Sequence, residues 1–140
     1  MAQLAVAAVM FLGSAYQGKE AKKAKEREAQ GLHEAAQRRR AVAQREAAEE
    51  ERNKDFVYSR ALAVSAASGT GTADAGVVAL LGDLNAEGEY RILSRLYAGE
   101  DEAEGLDYRA EIARREGKAA ETAGYINGVT SAVSSYAAFS

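Results

Sequence analysis

Uncharged residues recur along the second half of the chain at steps of three or four. From Leu81 the series runs through Leu84, Gly88, Ile92, Leu96, Gly99, Ala103, Leu106, Ala110, Ala113 and Gly117 to Ala120 and Gly124. The mean step, about 3.6 residues, is the period of a helix and slightly above that of a coiled-coil stripe. The pattern predicts a helix over residues 76–120 with one continuous contact stripe. Large side chains dominate the stripe up to Leu96, and beyond it every member except Leu106 is Gly or Ala. Small residues let another backbone approach closely. Without such a neighbour each glycine would cost ~1 kcal/mol relative to alanine in the helix interior.

Residues 19–66 predict a different kind of helix. Between Lys19 and Arg60 lie 12 basic and 9 acidic residues, no proline, and glycine only at Gly31. This reads as a solvated helix, supported by pairs such as Lys22 with Glu26 at ~0.2–0.5 kcal/mol each. Residues 67–75 then read as a reversal loop: Gly69 and Gly71 permit positive φ, and Asp74 offers a cap for the next helix. A phosphate-cradling loop is excluded, because Gly69-Thr-Gly71 has no third glycine, no P-loop lysine and no preceding buried strand. The predicted fold is all-α, a long antiparallel helical hairpin.

The two ends are weakly charged. Residues 1–18 form an apolar N-terminal segment whose Leu4, Val6, Val9, Met10, Phe11 and Leu12 require a membrane or a partner to cover them. The uncharged stretch from Ala2 to Tyr16 would be ~22 Å long as a helix, short of the ~30 Å hydrocarbon layer. A secretory leader is its first rival, with small residues at Gly13-Ser-Ala15, but no basic residues precede the run. Residues 121–140 form a small-residue C-terminal segment in which Glu121 is the single charge. Such a segment suits inter-subunit packing, a membrane surface or a frayed tail.

Leu, Ile, Val and Phe together number 25 of 140 residues, whereas alanine contributes 32 and proline none. A core of methyl groups buries little area at ~25 cal/mol per Å², so the stripe from Leu81 to Gly117 is expected to be an oligomer seam covered by identical neighbours. Disorder is disfavoured by the small net charge of -3 and the seven tyrosines. Charge is also divided along the chain: residues 1–60 carry +3 and residues 61–140 carry -6. Opposite signs favour antiparallel pairing of the two helices and select register more than they stabilise.

Candidate chemistry is sparse. With one histidine and no cysteine, no nucleophile, base and orienting group can be assembled, so an enzyme is not expected. His33 stands among charged residues and is expected to be solvated. The acidic run Glu100, Asp101, Glu102 and Glu104 reads as surface, and no cofactor or metal site is expected. Arg38-Arg39-Arg40 is the densest basic patch. It lacks the aromatic, zinc or helix-turn-helix context of specific nucleic-acid recognition, which is therefore not expected.

The segments Arg60-Ala-Leu-Ala-Val64, Ser68-Gly-Thr-Gly71, Gly88-Glu-Tyr-Arg91, Leu106-Asp-Tyr-Arg-Ala-Glu111 and Gly117-Lys-Ala-Ala-Glu-Thr-Ala-Gly-Tyr125 resemble small internal virion (ejection) proteins of short-tailed bacteriophages. The likeness covers roughly residues 56–130. It implies a homo-oligomer stored in the virion interior beside other internal virion or portal and tail proteins. After ejection it would form part of a conduit in the host cell envelope, with the bacterial envelope membrane as a further partner. The rival expectation is a coiled-coil scaffold or adaptor that never meets a membrane and docks on a protein through Ala2 to Tyr16.

Overall fold

A computed structural model describes residues 2–69 and 73–137, with the side chains of 2–11, 132 and 135–137 outside the described set. Two helices, α1 (Ala2–Ala67) and α2 (Ala75–Ala137), pack against each other as a hairpin. No strand occurs among the described residues. The two end segments are not separate elements, because α1 runs unbroken through residues 2–18 and α2 continues from 121 to Ala137. Both segments are rich in alanine and free of proline, and their glycines stay within the helix.

What stops α1 is backbone chemistry at Gly69. Its φ of 75° is the left-handed conformation that commonly ends a helix. Ser68 N–H still bonds to Val64 C=O at 3.0 Å, and Gly69 N–H reaches Ala66 C=O at 3.4 Å. Helix α2 is started by Asp74, whose Oδ1 accepts from the backbone N–H groups of Gly76 at 2.8 Å and Val77 at 3.3 Å. Those bonds satisfy two amides that have no partner within the helix. Gly71, predicted to share the reversal with Gly69, lies outside the described residues.

The hairpin divides into two packed units, Met1–Ala35 with Gly105–Ser140 and Ala36–Glu104. In the first, Ala29, Ala110 and Ala113 form the buried cluster, and Leu32 packs against it. In the second, Ala36, Ala43, Ala47 and Ala103 are buried together with Leu81. Leu81 is the one large apolar side chain among the described residues that is buried; all the others in that class are alanines. A pair of helices has no third layer, so only one stripe of each can be covered, and small residues let that contact close.

Candidate assembly surface

Within each unit, the stripe read from the sequence is the face of α2 turned toward α1. Gly99, Ala103, Ala110, Ala113 and Gly117 are buried with Leu81; Leu84, Gly88, Ile92 and Leu106 are half-buried; Leu96 stands at the edge, 36% exposed. The expectation that neighbouring copies must cover this seam is corrected: α1 of the same chain covers it. The reason is a reciprocal stripe on α1, where Ala15, Gly18, Ala29, Ala36, Ala43 and Ala47 are buried at helical spacing. Two small-residue stripes meet without needing aliphatic bulk.

The glycines show how close that meeting is. A Cβ placed on Gly99 would overlap Ala43 Cβ. One on Gly124 would stand 2.8 Å from Ser14 C=O and 2.9 Å from Gly18 Cα, and one on Gly18 3.1 Å from Ala120 C=O. At Gly117 the obstruction is Lys25 Cβ at 3.0 Å. These are backbone or backbone-attached atoms, which cannot swing aside. Gly88 differs, since there the added atom would meet mainly the flexible stem of Lys54.

Ion pairs line the seam. In the first unit Lys22 meets Glu121 at 2.8 Å and Lys25 meets Glu116 at 2.8 Å. In the second, Arg39 engages Glu102 through both Nε and Nη2, and Arg40 meets Glu100 at 2.9 Å. Each of these four places a base of α1 on an acid of α2, the polarity expected from the charge division; Glu50 with Arg95 at 3.5 Å runs the other way. The Glu102 carboxyl is held below the usual carboxylate range by its hydrogen bond to Arg39 and then by that charge. Hydrogen bonds to Glu121 and Glu116 raise Lys22 and Lys25.

Two sets read from the sequence as exposed are exposed or half-buried and also have partners on the other helix. Arg39 and Arg40 of the basic run face Glu100 and Glu102 of the acidic run, so these residues pair across the hairpin at its solvent-facing edge. His33 is partnered as well: its Nδ1 lies 2.7 Å from Asp107 Oδ1 on α2. No group of three or more metal-binding side chains occurs among the described residues.

Many large apolar side chains are nevertheless exposed. Tyr90, Tyr97 and Tyr108 are 67–70% exposed, Leu12, Phe56 and Tyr16 64–66%. Along α2, Tyr90, Leu93 and Tyr97 fall at i, i+3 and i+7 on the face away from α1 in the second unit, and Ile126, Val129 and Val133 repeat that spacing in the first. An open groove of about 400 Å³ near the reversal is lined by Val57, Val64, Val77 and Leu80 among others. Of the N-terminal apolar set, Leu12 is exposed, while the side chains of Leu4, Val6, Val9, Met10 and Phe11 lie outside the described residues. Among the described residues, no helix is long and apolar enough to cross a membrane.

Sequence reasoning missed the alanine stripe of α1 and the outer rows of α2. The first had a signal in Ala29, Ala36 and Ala43, spaced seven apart, hidden by the charges between them. The second had one in Tyr90 and Tyr97, also seven apart. No protein-family model, curated protein or solved structure matches the chain.

Proposed function

We propose that the chain is a non-enzymatic structural subunit whose work is assembly. Following its resemblance to small internal virion proteins, we place it in the interior of a short-tailed phage and, after ejection, in a homo-oligomeric conduit in the host envelope for genome delivery. The observation that supports assembly is how much large apolar surface the seam leaves over: alanines and glycines form most of the contact between the helices, and many tyrosine, phenylalanine, valine, leucine and isoleucine side chains stay exposed. Large apolar side chains left exposed in rows are the kind of surface that binds a partner.

The reading is tested with the purified full chain and vesicles of bacterial lipid composition. Dye release together with ring-shaped particles in electron microscopy is the expected result. A protein that stays monomeric and leaves vesicles intact at every concentration overturns it.

A second reading, a scaffold or adaptor that acts without a membrane, is favoured by the absence of a membrane-crossing helix among the described residues. Deleting residues 2–16 separates the two. Loss of vesicle binding with oligomers retained supports the conduit, and loss of a protein partner with vesicle binding unaffected supports the adaptor.

A further inference from the structure

Two rows of exposed side chains in the second unit lie on opposite outer faces of the hairpin. On α1, Arg38, Arg45 and Arg52 recur every seven residues on the face turned away from α2, and all three are exposed. On α2, Tyr90, Tyr97 and Glu104 recur every seven residues on the face turned away from α1, and these too are exposed. Seven residues are nearly two helical turns, so each row runs almost straight along its helix.

The rows also share their heights. Gly99 lies against Ala43 and Gly88 against Lys54, so a step along α1 matches an equal step back along α2. Arg45, two residues past Ala43, is therefore level with Tyr97, two residues before Gly99. By the same count Arg52 is level with Tyr90, and Arg38 with Glu104. A second copy set beside the first, in the same orientation and without axial shift, brings each arginine of one chain onto its level partner in the next.

We propose that copies of this chain associate head to tail through these rows, the α1 arginines of one copy docking on the Tyr90, Tyr97 and Glu104 row of its neighbour. The chemistry of the two faces is complementary. A guanidinium stacks on the face of a tyrosine ring, and Arg38 meets a carboxylate. Phe56, 64% exposed, extends the arginine face and is level with the small Ala86, which leaves room for it. Because the two faces differ, the contact is heterologous, and repetition gives a ring or an open filament rather than a closed dimer. The inference rests on the assembly reading above and specifies the surface that carries it.

The chain has no native cysteine, so a cysteine pair reports the contact cleanly. The Arg45→Cys/Tyr97→Cys variant of the full chain, oxidised after its helicity is checked, is expected to give a ladder of linked dimers, trimers and larger species. Arg45→Cys alone, Tyr97→Cys alone and the exposed control Gln30→Cys are expected to give only the background of random collision. In parallel, Arg38→Glu or Glu104→Arg should raise the concentration needed for assembly by about tenfold, and the two together should restore it. An unmodified chain that assembles while the Arg45/Tyr97 pair fails to link refutes this interface and leaves assembly standing. Abundant dimer from Tyr97→Cys alone refutes it in favour of a two-fold contact. Capture of a different protein by these rows, with no self-association, or an unmodified chain of monomeric mass at all concentrations refutes the contact and the assembly reading together.

Discussion

Replacing Gly99 by alanine sets two physical effects against each other. In an exposed helix the change stabilises by ~1 kcal/mol, because glycine is the poorer helix former. At this position the added methyl overlaps Ala43 Cβ. Both carbons are fixed to backbone, so no rotamer change relieves the clash, and carbon atoms need ~3.5–4.0 Å between them. The helices must part locally, loosening the neighbouring contacts of Ala47 and Ala103. Overpacking of this kind costs ~1–3 kcal/mol, and with no adjustable side chain the upper part of that range applies. The expected net effect is destabilisation by about 2 kcal/mol. The assay is urea unfolding followed by circular dichroism at low protein concentration, with Gly31→Ala and Gly105→Ala as controls, since an added Cβ at either meets nothing within 4 Å. Those two should become more stable by ~1 kcal/mol each. Adding Ala43→Gly to Gly99→Ala should recover most of the loss, giving a coupling of more than ~1 kcal/mol in the double-mutant cycle. A Gly99→Ala protein as stable as Gly105→Ala, or a cycle with no coupling, would show that the helices are not in close contact there.

Four further outcomes are expected. Asp74→Ala removes the acceptor for the amides of Gly76 and Val77 and should cost about 1 kcal/mol in the same unfolding assay. Leu81→Ala truncates the one large buried apolar side chain among the described residues and should cost ~2–3 kcal/mol, more than Leu93→Ala, whose side chain is half exposed. Gly69→Ala introduces a side chain at a φ of 75° and should lower stability by ~1 kcal/mol. On pH, the lowered Glu102 contributes stability above the ordinary carboxylate value and loses it as pH falls below about 4. The raised Lys22 and Lys25 contribute below the ordinary lysine value and lose it as pH rises above about 10.5. Arg39→Gln should therefore flatten the acid limb of the stability profile, and Glu121→Gln the alkaline limb, when unfolding midpoints are measured across pH.

Much of the fold was legible because helices write their period into sequence. The stripe from Leu81 to Gly124, the reversal at Gly69 and the cap at Asp74 each rest on local chemistry that one strand of text carries. The same reading misjudged what covers the stripe, because it weighed apolar bulk and not distance of approach. Ala29, Ala36 and Ala43 look inert beside the lysines, arginines and glutamates around them, yet at close range methyl groups suffice. Arg39, Arg40, Glu100 and Glu102 were likewise readable only as two separate charge runs, since their pairing depends on a register fixed by Gly99 against Ala43. The outer rows depend on the seam, because the burial of Gly99 and Ala103 is what places Tyr90 and Tyr97 on the face turned away from α1.

A seam made mostly of alanine and glycine closes the hairpin and leaves many large apolar side chains exposed to bind further copies. Sedimentation velocity of the full chain from nanomolar to high micromolar concentration tests it directly. Species heavier than 14.8 kDa that grow with concentration are expected. A single species of 14.8 kDa across the whole range contradicts it.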